Sequence, residues 1–482
     1  MAGRYFSVLL LLSPAGLLIS LTATLPGAIS GQVVDPAGPV AGAVVRFKGD
    51  ALAVVTDEAG RFVLPRAPAG KSRITAAKDG YFIAGAPASA TPLVLHLEPL
   101  PAEDHDEYAW VDPRPDGAGR HNCANCHADI YREWAGSAHA RSVSNPRFRD
   151  HYAILLKDNP DGAGVCTSCH APGIPFGDPA YYELREATGV GAQGVHCDYC
   201  HKIAGPEPAA RIGTTHGRFG LRLLRPEKHQ LFFGTLDDVD RGDDAYSRFY
   251  RSSRYCASCH EGVVFGVHVY STYSEWRASP AARRGQQCQG CHMAPNEART
   301  NIAPGRGGLE RDPRTLSTHG MFVGSQEAML RRALNVSADV TRTKASVAVA
   351  VTLRTEDVGH RVPTGFIDRH LILVVEARHR TAPLAPIAGT ILPELAGKEF
   401  AGSAGRLFAR VLSDPKGRSP APFWNARPTF EDTRLRPEQT EQHSFTFPPT
   451  ADHVRIRLLY RRFWPDGAGK PADALTIVDM VR

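Results

Sequence analysis

All ten cysteines of this 482-residue chain fall in five copies of one pentapeptide, Cys-x-x-Cys-His, within a span of 170 residues. The copies are Cys123/Cys126/His127, Cys166/Cys169/His170, Cys197/Cys200/His201, Cys256/Cys259/His260 and Cys288/Cys291/His292. With 10 Cys and 20 His available, chance would supply about 0.01 such pentapeptides. The spelling is that of a c-type haem attachment site: two thiols add to the haem vinyl groups and the adjacent imidazole takes the iron. A disulfide framework gives no reason for His after every second Cys. Zinc sites need four ligands and pair two such knuckles, whereas five is an odd number. The motifs therefore predict five covalently bound haem c groups, with the ten cysteines as anchors and the five histidines as proximal ligands.

An iron held by one imidazole needs a sixth ligand, and that choice separates an electron relay from a catalyst. Two histidines give a low-spin iron that rearranges little on electron transfer, whereas an open position admits substrate. Five Met, one of them Met1, are too few to dominate. Besides the motif residues, the same region holds His105, His121, His139, His151, His196, His216, His229, His268 and His319. His139 stands twelve residues beyond His127, on a predicted helix that can aim it inward. His319 follows the last motif, where the chain can fold back. His229 and His216 lie in the long gap before the fourth motif, and His196 abuts Cys197, where it could serve only a neighbouring iron. These five are the expected distal ligands. His360, in Gly359-His360-Arg361-Val362-Pro363, reads as a turn residue, although it could reach across a domain boundary.

One internal echo bears on the ligands. Tyr131-Arg132-Glu133-Trp134-Ala135-Gly136-Ser137 recurs as Tyr273-Ser274-Glu275-Trp276-Arg277-Ala278-Ser279, but the counterpart of His139 is Ala281. If the copies are related, the second has lost a ligand. That leaves room for one five-coordinate haem beside Trp276, unless a neighbour such as His268 replaces it.

The elements that must position these residues divide the chain into a leader and three parts. Residues 1–29 carry the apolar run Phe6–Leu25 behind Arg4 and read as a signal peptide or an N-terminal anchor. Residues 30–100 alternate apolar and polar residues between turn clusters such as Asp57-Glu58-Ala59-Gly60, which predicts an all-β module. Its string GQVVDPAGPVAGAVVRF…VTDEAGRFVLP…KDGY resembles the carboxypeptidase regulatory-like, transthyretin-like β-sandwich. Such modules serve as spacers and docking domains. Residues 101–333 are rich in glycine, proline and charge, predicting a mainly helical and irregular region with helices near Ala128–Ala140, Pro179–Ala187 and Gln326–Leu334. So little periodic apolar sequence implies that porphyrin supplies the apolar bulk, and that the region is largely unfolded without it. Alternation returns over 334–482, at Ala345–Val351, His370–Glu376, Leu407–Val411, His443–Phe447 and Val454–Leu459, predicting a second β-sandwich.

The runs CANCHADIYREWAGSAHARS, GVHCDYCHKI and CASCHEGVVFGVHVYSTYSEWRASPAARRGQQCQGCHM resemble the multihaem cytochromes c grouped with the nitrifier tetrahaem electron carrier. That group is more distantly related to hydroxylamine oxidoreductase. The resemblance spans roughly residues 120–325 and implies closely packed, mostly bis-histidine haems in periplasmic electron transfer, with His139 as a distal ligand. This chain departs from it in having five motifs and two added β domains. The formal charge of +6 does not point to nucleic acid, because each oxidised haem brings about −1 through its two propionates. Redox proteins are the expected partners, with membrane contact only through an N-terminal anchor and a location in the periplasm or on the outer cell surface. The leading expectation is an electron relay. The alternative is a haem-based oxidoreductase acting on a small nitrogen or sulfur species at a five-coordinate haem.

Overall fold

The computed structural model describes residues 27–65, 70–90, 92–117, 121–160, 165–174, 184, 188–227, 230–322, 325–428, 431–465 and 474–482. Residues 1–26 of the proposed leader, His229 and nearly all of the expected helix Pro179–Ala187 lie outside them, while Ile29, placed in the leader, opens the first strand.

The N-terminal alternation folds into two four-stranded sheets. One orders Gly38–Pro39, Ile29–Asp35 and Arg61–Leu64, with Val94–His96 parallel to Ile29–Asp35. The other orders Ala53–Val55, Val44–Phe47, Arg73–Ala77 and Ala84–Pro87. In Arg61-Phe62-Val63-Leu64 the period of two puts Phe62 and Leu64 inside and the other two out. They join Val33, Val45, Phe47, Ile74 and Leu95 in one core. Gly60 closes the turn ahead of that strand at φ 69°, and a Cβ there would come 2.4 Å from Val33 O.

This sandwich is not a loosely tethered spacer. Phe82 packs with Leu224, Leu231 and Phe233 of the central region, and Ile83 N–H donates to Asp244 O at 2.9 Å. The acidic loop Asp237–Asp240 receives Arg46, Lys48, Arg73 and the Gly49 N–H.

The central region is built of short helices joined by loops and two-stranded ribbons. The expected helix near Ala128–Ala140 forms over Ala128–Ala135, and that near Gln326–Leu334 over Gln326–Ala333. Pro146–Asp158 is a thirteen-residue helix that the apolar pattern did not reveal. Its signal is at its start, where the Asn145 side chain accepts the Arg147 and Phe148 N–H groups and Pro146 fills the first turn. Among the described residues, the buried apolar clusters here hold six residues at most, against twenty-two in the C-terminal part.

That C-terminal part is again two large sheets face to face, with a two-stranded ribbon of Arg410–Val411 and Glu431–Asp432 beside them. Leu334–Arg342, Val347–Thr355 and Thr440–Phe447 form one. His370–His379 and His453–Arg461 lie at the centre of the other, flanked by Ala382–Leu384, Ala404–Phe408 and Ala474–Val481. Leu371, Leu373 and Val375 point into the shared core, whereas Ile372 and Val374 cover a second cluster with Trp464 on the outer face. Both faces of this strand are buried, which is why it reads as an unbroken apolar run.

Candidate functional site

Four motifs lie in short helices, Val165–His170, Cys197–His201, Arg254–His260 and Cys288–His292, and the first lies in Cys123–Cys126 with His127 as its C-terminal cap. One α-turn sets positions i, i+3 and i+4 on a single face, so both thiols and the imidazole can address one planar ligand. No cysteine is in a disulfide. The five motifs are brought together through their thiols. Cys123 lies beside Cys197, Cys169 beside Cys259, and Cys256 beside Cys288. The first motif thus adjoins the third, the second the fourth, and the fourth the fifth, an order the sequence did not disclose.

Four of the five motif imidazoles are oriented by backbone carbonyls. Nδ1 donates to Ile302 O at 2.8 Å in His127, to Ser142 O at 3.0 Å in His170, to Phe233 O at 2.6 Å in His201 and to Met321 O at 2.9 Å in His292. A donating Nδ1 fixes the tautomer and leaves the Nε2 lone pair for a metal. This donor set, paired thiols beside a neutral imidazole with its proton held elsewhere, fits covalent haem.

Among the described residues, three further histidines stand opposite motif rings. His319 faces His201 with ring centres 6.4 Å apart, His139 faces His260 at 6.1 Å, and His360 faces His292 at 6.2 Å. Metal–imidazole bonds of about 2 Å on each side set two axial rings about 6 Å apart between centres, as a bis-histidine haem requires. The first and third pairs are near parallel, at 26° and 21°, while the second is crossed at 67°. Burial pushes His139 down to about 4 and His260 and His319 to about 3, so these rings are neutral at physiological pH. His139 is fixed from the third motif's approach: Val195 N–H donates to His139 O at 3.1 Å. Gly194, at φ 71°, permits this because an added Cβ would come 2.4 Å from that carbonyl.

The other expected ligands sit differently. His196 caps the Cys197 helix, its Nδ1 accepting the Tyr199 N–H at 3.2 Å, with its ring edge-on to Trp110. His216 has Nε2 3.1 Å from Val263 O. His268 pairs with Glu261 at 2.5 Å. His105 and His121 are exposed, and His151 packs against Phe366 and Phe463. The residue read as a turn, His360, does lie on a bend, yet that bend carries its ring to His292. Only the long sequence separation hid it.

Among known proteins, residues 122–202 match the family model for cytochrome c554 and c-prime, and residues 28–88 match the carboxypeptidase regulatory-like domain. A crystal structure of a penta-haem cytochrome c552 from Thermochromatium tepidum shares the fold at 23% identity and TM-score 0.55. It covers 75% of this chain and 97% of that one. The ApaA protein of Bordetella pertussis, at 10% identity, covers 31% of this chain and 94% of that one; its TM-score of 0.12 carries no argument. No curated protein sequence matches this one. The matched residues 122–202 hold the first three of the five motifs, and a carboxypeptidase regulatory-like domain precedes them. No described helix is long and apolar enough to cross a membrane.

Proposed function

We propose that this chain is an exported c-type cytochrome that carries five covalent haems and relays electrons between redox proteins in the periplasm or at the outer cell surface. Haem supplies an iron that cycles between ferric and ferrous states. The protein's part is to hold each iron between fixed ligands so that little moves when charge changes. His127, His170, His201, His260 and His292 serve as proximal ligands, and His319 and His139 as distal ligands of the third and fourth irons. The observation that carries this reading is the spacing of the facing rings, His201 with His319 and His260 with His139. Thiol contacts between motifs support close haem packing, as electron hopping needs. The catalytic alternative rested on a ligand missing beside Trp276, and Gly359 now packs against Trp276 and Ala281 with His360 next to it.

Ferric spectra test the relay. Bis-histidine irons predict low-spin signals that cyanide, nitrite or, after reduction, carbon monoxide leave unchanged. Strong ligand-induced changes in the wild-type protein would favour the oxidoreductase instead.

A further inference from the structure

The echo between Tyr131–Ser137 and Tyr273–Ser279 extends to contacts. In each copy the indole N–H donates to the carbonyl two residues ahead of a motif. Trp134 Nε1 reaches Val195 O at 2.8 Å, ahead of Cys197, and Trp276 Nε1 reaches Gln286 O at 2.8 Å, ahead of Cys288. In each copy the first cysteine of the preceding motif adjoins the first cysteine of the motif so pinned, Cys123 with Cys197 and Cys256 with Cys288. In each copy the serine Oγ accepts the N–H three residues on, Ser137 from Ala140 and Ser279 from Ala282. The first and third motifs therefore form one unit, and the fourth and fifth form its repeat.

The glutamates carry the equivalence to the iron's far side. Glu133 Oε2 accepts the His319 N–H at 2.8 Å and so places the ring that faces His201. Glu275 Oε2 accepts the Arg361 N–H at 3.2 Å and the Thr364 hydroxyl at 2.8 Å, and the residue before Arg361 is His360, facing His292. Resting on the haem reading above, we propose that His360 is the distal ligand of the fifth iron, a ligand from the C-terminal sandwich that Glu275 positions. It does for His292 what His319 does for His201.

Both rings of this pair have Nδ1 engaged by a carbonyl, Met321 O at 2.9 Å and Arg361 O at 3.0 Å, so both Nε2 atoms remain for the metal. The approach is close at Gly359. A Cβ on Gly359 would lie 3.2 Å from the Trp276 ring and 3.3 Å from the Ala281 methyl. A histidine at position 281 would claim the space this loop occupies. The second copy therefore takes its ligand from another domain, and the fifth haem pins the C-terminal sandwich to the central region.

The test uses the full-length, haem-loaded protein and its His360→Ala variant, with haem number fixed first by intact mass. The expected result is an unchanged haem number and one haem in five turned from low- to high-spin. That haem should bind carbon monoxide when reduced, and added imidazole should restore its low-spin spectrum. Should that variant fail to accumulate, His360→Met decides, because it keeps bulk and a ligand while raising the potential of one haem. For the positioning role, Glu275→Gln should give a partial high-spin fraction at the same haem, reversed by imidazole. Unchanged spin states in the alanine variant, or unchanged potentials in the methionine variant, with the haem number intact, would overturn the assignment and leave the relay standing. A haem-free wild-type protein would overturn both.

Discussion

At the scale of single residues, the third motif has a charge buried at its centre. Lys202 follows His201 and pairs with Asp198 at 2.5 Å, both side chains fully buried. Asp198 also accepts the Val111 N–H at 2.8 Å, and the ammonium lies over the Tyr108 and Phe232 rings. Burial lowers the Lys202 pKa, and Asp198 opposes that shift. Removing one partner of a buried pair leaves an uncompensated charge, so Asp198→Asn should cost about 3–5 kcal/mol in denaturant midpoints read at the haem band. Replacing both partners by apolar residues should recover most of that loss. The distal ligands are tested at the same scale: His139→Ala and His319→Ala should each convert one different haem to high-spin, and an unchanged spectrum removes that ligand. The five Cys-x-x-Cys-His motifs were legible because their spacing is local. The rings that face them lie 118 residues away in His201/His319 and 68 in His292/His360. Such pairing is a property of the fold, and ordinary roles, such as the helix cap at His196, use the same side chain.

At the scale of elements, the joint between the central region and the C-terminal sandwich is polar. Glu275, on the helix Thr272–Arg277, takes Arg434 at 2.6 Å and Arg410 at 3.0 Å from the sandwich, with Asp432 closing the network. Burial alone would raise the Glu275 carboxyl, but Arg434, Ser271 and Arg410 outweigh it and hold it below the usual range. A depressed carboxylate stabilises the fold fully above its unfolded value of about 4.3, and the contribution fades as pH falls through the lower folded value. Glu275→Gln should therefore lose stability at neutral pH and show a flatter acid-side decline than the parent in denaturation midpoints between pH 7 and pH 3. Equal slopes would contradict the assignment. Strands were the readable elements, since alternation names both the element and its buried face, as in Arg61–Leu64 and Val347–Thr355. The edge strand Ala474–Val481 escaped because its apolar residues do not alternate strictly, whereas Leu334–Arg342 was missed although Leu334, Val336, Ala338 and Val340 alternate with polar residues. The helices carrying the motifs escaped because one or two turns leave no periodicity to detect.

At the scale of the whole molecule, two β-sandwiches with their own cores flank a region whose apolar clusters are small. Haem burial is then part of the folding energy of the middle. A preparation matured without haem should lose the segment 101–333 to limited proteolysis while both sandwiches persist; a compact, resistant middle would refute this. The sandwiches were foreseen as separate domains, but their attachments were not, because Phe82 against Phe233 and Glu275 against Arg434 are contacts that local pattern cannot announce. The account as a whole depends on each thiol pair fastening a haem. Intact mass of the purified protein under denaturing conditions tests that most directly, since only covalent groups survive. It should exceed the polypeptide by five haems, and a mass matching the bare chain would contradict the account.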